Sequence, residues 1–270
     1  MKNNICICSF IKDELEYLEE FITYHLGIGI DHIFLFEDYN SLSHKPITDK
    51  YSDKVTLQNI QSLIPKPKLL SLSTKEQHRQ RQPEYLHHGL AYIQSKNVYD
   101  WCLVIDTDEY LTLNKTDITE ALNNYAKYEV VKILWQNYNA NGYVYKPDYN
   151  KKNIQETYTQ PCGFTNFDKR SGGIVKLLFN LKLFKLDHII NVHCVHSDCK
   201  ILEKTDELYL RHYITKSWEE FVWKLKIRGM FYIQHRNFND FFEMNPELIP
   251  KKTELLDIAQ KILKNDERVL

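Results

Sequence analysis

Apolar residues fall along this chain in short blocks, and the spacing within each block predicts its element. Ile5, Cys6, Ile7, Cys8 and Phe10 form a nearly continuous run followed by Lys12-Asp13-Glu14, the pattern of a buried strand that ends in a polar loop. Leu15, Leu18, Ile22 and Leu26 then repeat at helical spacing until Gly27 and Gly29, which predict the end of a helix. His32 to Phe36 is again strand-like and runs into Glu37-Asp38-Tyr39-Asn40-Ser41, a turn-forming string. Strand, helix, strand over this length fits a right-handed crossover between parallel strands, the start of a nucleotide-binding α/β fold.

A short strand is predicted at Val55 to Leu57, followed by a polar stretch, Ser62 to Gln82, with Pro65, Pro67, Lys66, Lys68, Lys75, Arg79 and Arg81. That stretch reads as a loop, with Pro83 in the first turn of a helix whose Leu86, Leu90 and Ile93 share one face. Trp101 to Ile105 is a buried strand that runs straight into Asp106-Thr107-Asp108-Glu109. Val130 to Trp135 and Ile174 to Phe184 read as strands, and the Asn-, Tyr- and Gly-rich segment between them has no clear period. Trp218, Phe221, Val222 and Leu225 predict one amphipathic helix, and Leu255, Ile258, Ala259, Ile262 and Leu263 another.

Charge narrows the partners. Thirty-five Lys and Arg against 36 Asp and Glu leave a net charge of -1, so no global field favours nucleic acid or an acidic membrane, and any anion site is local. A 43% hydrophobic content with 18 Tyr and 13 Phe is globular. Three of the six cysteines, Cys6, Cys8 and Cys102, fall inside apolar strand-like runs, a usage suited to a reducing compartment. With neither a signal-peptide pattern at the start nor an apolar run of 18 residues, the expectation is a cytoplasmic chain.

The chemistry concentrates after Trp101 to Ile105. Asp106 and Asp108 stand just past a strand, where ligands bind in open α/β sheets, and such a pair is a hard-oxygen site for Mg²⁺ or Mn²⁺ shared with substrate phosphates. Late in the chain His212 could serve as a metal ligand when neutral, and Lys216 could place an ammonium against a diphosphate. Ser217 and Glu220 have the spacing of a capping box. A rival site, His193, Cys194, His196 and Cys199, has zinc-type ligands at poor spacing, and a strand and turn lining a cleft is the preferred reading there.

Several ordered elements resemble a known family. Lys12-Asp13-Glu14 with Tyr17-Leu18-Glu19-Glu20-Phe21 and Tyr24-His25, the turn Phe36 to Ser41, Asp106-Thr107-Asp108-Glu109-Tyr110-Leu111, and His212-Tyr213-Ile214-Thr215-Lys216-Ser217-Trp218-Glu219-Glu220-Phe221 are similar to motifs of glycosyltransferase family 92 and its bacterial family 2-like relatives. Asp13 departs from the family's usual Asn, and Trp135 to Gly142 matches its central motif loosely. The resemblance implies a GT-A fold: a mixed, mostly parallel central sheet with helices on both faces, in residues 1–205, and a C-terminal helical extension, 206–270, closing over the active site.

The resemblance also implies transfer of a hexose, galactose among the candidates, from a nucleotide-diphospho sugar, UDP-linked, to a hydroxyl of a glycan or glycolipid. A lipid-linked acceptor would bring the chain to the inner face of a membrane. Asp106, Asp108 and His212 are the expected ligands of Mn²⁺ or Mg²⁺. Ser9, Glu14, Asp38, Arg81, Gln82, Asp106 and Lys216 are the expected donor contacts, with Glu14 and Asp38 near the nucleoside. An inverting reaction needs a carboxylate base, for which Asp168 and Glu219 are candidates. Two alternatives stay open: a nucleotidyltransferase, against which stands the lack of a Gly-rich loop in Ser9 to Glu14, and a non-catalytic carbohydrate-binding protein.

Overall fold

The computed structural model describes residues 3–11, 15–37, 43–64, 74–114, 117–163, 174–227 and 237–264, with the backbone alone at 61, 74–82 and 227. The first part of the chain forms β1 (Ile5–Ile11), α1 (Leu15–Gly27), β2 (His32–Glu37), α2 (Lys45–Thr48), β3 (Val55–Asn59), α3 (Thr74–Ser95), β4 (Trp101–Val104), β5 (Glu109–Leu113) and α4 (Ile118–Tyr125). There follow β6 (Val130–Tyr138), α5 (Ile154–Thr157), β7 (Pro161–Cys162), β8 (Val175–Asn180), β9 (Ile189–Asn191), β10 (Cys194–Val195), β11 (Ile201–Leu202) and β12 (Leu208–His212). Helices α6 (Trp218–Ile227), α7 (Phe238–Met244) and α8 (Lys252–Lys264) complete the described chain.

The sheet runs in the order β3-β2-β1-β4-β8-β6-β12-β5. Its first four strands are parallel, as the strand-helix-strand spacing predicts. β8 is antiparallel to both of its neighbours, β4 and β6. This reversal positions the site: parallel β4 ends where antiparallel β8 begins, so the first residues of β8 stand at the carboxyl edge of β4. The chain divides into two compact units, one of residues 1–135 and 175–210, the other of residues 136–174 and 211–270.

In the first unit, Cys6, Cys8 and Cys102 are fully buried among apolar neighbours, which is cysteine used as a small hydrophobe. Leu86, Leu90 and Ile93 of α3 bury the face that their spacing predicts. Gly89 lets this helix approach closely, since a Cβ there would lie 3.2 Å from the rings of Phe10 and Phe36. Gly29, at φ +102°, takes the left-handed backbone that follows α1, a conformation costly for other residues.

Three predicted elements differ from the structure by three residues or more. α3 begins at Thr74, inside the stretch expected to be a loop, and Pro83 lies within it rather than in its first turn. Lys, Glu, Gln and Arg are strong helix formers as well as polar, so polarity alone misread residues 74–82. β8 stops at Asn180 instead of continuing to Phe184, because the amides of Leu183 and Phe184 both turn back onto the Asn180 carbonyl, at 3.1 and 2.9 Å. β6 extends three residues past Trp135, to Tyr138.

Candidate active site

Asp106 follows the end of β4, and the amide of Ile105 still donates to the Cys8 carbonyl of β1 at 3.2 Å, so the acids leave the sheet at its carboxyl edge. The turn is locked from within. Glu109 Oε2 accepts the Asp106 amide at 3.0 Å, and the Glu109 amide donates to the Asp106 carbonyl at 3.0 Å. Thr107, Asp108 and Glu109 are buried, whereas the Asp106 side chain is 52% exposed. Ser9, on β1 beside this turn, is fully buried, and its hydroxyl has no hydrogen-bond partner among the described residues.

Facing the acids is a residue that sequence reasoning missed. Lys176, the second residue of β8, is buried and places its ammonium 2.8 Å from Asp106 Oδ2 and 3.5 Å from Glu109 Oε2. Burial by itself would lower its pKa, but the charges of Asp106 and Glu109 outweigh that and hold it well above the ordinary lysine value. Burial likewise pushes the Glu109 carboxyl up, and nearby Asp106 and Asp108 add to the shift against the opposing charge of Lys176. The only signal in the sequence was a lone lysine inside the apolar run Val175 to Phe179.

The ammonium also lies 5.8 Å from the centroid of the Trp135 ring, whose edge meets His193 at 5.4 Å between centroids. His193 Nδ1 lies 2.7 Å from the Val175 carbonyl, to which the neutral ring donates. Burial, with the charge of Lys176, lowers its pKa from 6.5 to about 4. Folded His193 therefore stays neutral while the unfolded chain takes up a proton, so its stabilising contribution is complete above pH 6.5 and is lost as pH falls toward 4. Its expected share of the slope is at most about 1.4 kcal/mol per pH unit. Denaturant titrations of the wild type and His193→Gln between pH 7 and 4.5 check this: the difference between them should shrink as the pH falls, and a constant difference would refute the assignment.

The four zinc-type side chains engage different groups. His193 is on Val175, Cys194 Sγ is 3.5 Å from the Val195 carbonyl, His196 is 3.1 Å from Asp198, and Cys199 Sγ is 3.2 Å from His188 Nδ1. β9 and β10 pair as a small antiparallel sheet, as the strand-and-turn reading expects.

The second unit holds the late motif. His212 ends β12, is buried, and has Nδ1 3.1 Å from Asn137 Oδ1. Lys216 is buried and sits at φ +50°, a left-handed backbone that is strained for a lysine. Ser217 and Glu220 close the predicted capping interaction, the Ser217 hydroxyl donating to Glu220 Oε2 at 2.7 Å and the Glu220 amide donating to Ser217 Oγ at 3.3 Å. Glu220 also accepts from the hydroxyls of Tyr149, at 2.7 Å, and Tyr158, at 3.0 Å. Glu219 accepts the Lys146 amide at 2.8 Å. Of the other expected site residues, Arg81 and Gln82 lie on α3 where the backbone alone is described, and Glu14, Asp38 and Asp168 lie outside the described residues.

The carboxylates present fit a hard divalent cation: Asp106 and Asp108 offer oxygens at a sheet edge, and Asp106 remains half exposed despite its contact with Lys176. The sheet, parallel from β3 to β4 and antiparallel at β8, carries these acids past the end of a central parallel strand, as expected of a GT-A fold. The chain belongs to glycosyltransferase family 92, whose model matches residues 3–253.

No curated protein matches the chain at a significant level. Among solved structures it is similar to glucosyl-3-phosphoglycerate synthase from Mycobacterium tuberculosis, in complex with Mn²⁺, uridine diphosphate and glucosyl-3-phosphoglycerate, at 12% identity and a TM-score of 0.33, over 50% of this chain and 44% of that one. It is also similar to residues 1–349 of TarS from S. aureus, at 10% identity and a TM-score of 0.40 over 83% of this chain and 65% of that one. The same TarS fragment in complex with UDP matches at 13% identity and a TM-score of 0.40, over 84% and 64%. The chain thus spans 44% to 65% of the length of these structures. No helix among the described residues is long and apolar enough to cross a membrane.

Proposed function

We propose that this chain transfers a hexosyl group from a UDP-linked sugar to a hydroxyl of a glycan or glycolipid, with a divalent cation held by Asp106, Asp108 and His212. The observation that carries the reading is the acid turn at the carboxyl edge of β4, with Asp106 half exposed and Asp108 buried, in a chain of this family. When bound, a divalent cation supplies Lewis-acid stabilisation of the departing diphosphate. The protein's part is to hold the carboxylates rigidly: Glu109 fixes the Asp106 amide, and Lys176 fixes its side chain. Ser9, with its buried hydroxyl, together with Glu14, Asp38, Arg81 and Gln82, completes the proposed donor site. Asp168 and Glu219 are the carboxylates proposed to deprotonate the acceptor in an inverting reaction, Glu219 already holding the Lys146 amide.

Thermal shifts with a panel of nucleotide sugars, with and without Mn²⁺, test this. Stabilisation by a UDP-sugar that needs Mn²⁺ is expected, and a protein unmoved by every nucleotide sugar would overturn the reading.

Lys216 is proposed to face the diphosphate. Lys216→Ala is expected to lower kcat by about tenfold or more with the fold intact, because a positioned charge acts most strongly on the departing group. Lys216→Gly should lose as much activity while relieving the backbone at φ +50°. An unchanged kcat in either variant would remove Lys216 from the site.

A further inference from the structure

The proposed donor site uses Lys176 only to fix the Asp106 side chain, and its charge has a further consequence. β8 is buried along its whole length, Val175 to Asn180, and a charged group inside such a strand is costly unless it is paired. Its pairing is specific: Nζ donates to one oxygen of Asp106 at 2.8 Å and lies 3.5 Å from Glu109. The stem cannot swing away, because β8 is held between β4 and β6, with Lys176 opposite Ile133, and Trp135 flanks the ammonium. A fixed cation therefore already sits on one oxygen of a residue proposed as a metal ligand.

The geometry points to Lys176 as a positioning residue whose ammonium partly neutralises the acid turn, so that the turn binds a divalent cation weakly by itself and tightly only together with a nucleotide diphosphate. The inference rests on the reading that Asp106 and Asp108 hold the metal. The ammonium and a metal draw on the same carboxylate, so the metal alone meets a site of reduced negative charge. A diphosphate brings new anionic oxygens, which bind the metal and are attracted by the same ammonium. The order of loading follows: cation and nucleotide enter together.

Removing the charge should move two affinities in opposite directions, which a merely structural lysine would not do. Mn²⁺ binding is measured by calorimetry, alone and with UDP, on the wild type and on Lys176→Gln, which removes the charge and keeps a polar side chain. The variant is expected to bind Mn²⁺ alone at least fivefold more tightly, and UDP at saturating Mn²⁺ at least fivefold more weakly. A variant that binds Mn²⁺ alone equally or less tightly overturns the inference and leaves the metal reading intact. Should Lys176→Gln fail to fold, Lys176→Met, which keeps most of the stem and removes the charge, is measured in its place, with the same two shifts expected and the same outcome overturning the inference. A wild type that binds no Mn²⁺ with or without UDP removes the metal reading, and this inference with it.

Discussion

Asp108→Asn is expected to cut sugar transfer by at least about 100-fold, the range seen when one preorganised electrostatic contact to a developing charge is removed. Asp108 is buried, and asparagine keeps its shape while removing its charge, so the effect isolates metal holding from packing. Chelation should abolish transfer by the wild type, and added Mn²⁺ should restore it. The variant should regain little at any Mn²⁺ concentration that leaves the fold intact. Initial rates with a radiolabelled UDP-sugar measure this. Transfer at the wild-type rate, with unchanged metal dependence, would remove the metal assignment and leave the family membership standing.

Trp218→Ala is expected to lower the stability of the second unit by about 3–5 kcal/mol, the usual cost of deleting a buried tryptophan. Trp218 is fully buried, with ring centroids 4.8 Å from Phe241, 5.0 Å from Phe238 and 5.4 Å from Phe242. Its Nε1 donates to the Leu255 carbonyl at 2.7 Å, tying α6 to α8. Trp218→Phe would keep much of the packing and lose only that hydrogen bond, at an expected cost of about 0.5–1.5 kcal/mol. Because the chain has two compact units, near-ultraviolet circular dichroism and limited proteolysis should be followed together, so that unfolding of one unit is resolved. An unfolding free energy within about 1 kcal/mol of wild type for the alanine variant would mean that the aromatic cluster does not hold this unit together.

The legible parts of the site were local. Asp106 and Asp108 could be placed because an apolar strand and the acids that end it are adjacent in sequence, and chain geometry carries a strand into its loop. Ser217 with Glu220 was legible for the same reason, since the two members of a capping box stand three residues apart. Residues 74–82 were misread because helix and loop share polar composition, and periodicity is weak where a helix face is not apolar: the mean character of α3 is set by Lys, Gln, Arg and His.

By itself the sequence determined the strand-helix-strand start, the acid turn after β4, the two C-terminal amphipathic helices and the motifs that mark the family, because these depend on contacts within a few residues or on spacing along one element. Tertiary structure decided what faces the acids. Lys176 lies 70 residues from Asp106 along the chain, and they meet only because β8 enters the sheet antiparallel between β4 and β6. It decided the burial that shifts Glu109 and His193, and the strained backbone of Lys216. Strand order and direction are set by the packing of the whole sheet, and electrostatics between distant residues follow from that packing, so neither is written in any local stretch of sequence.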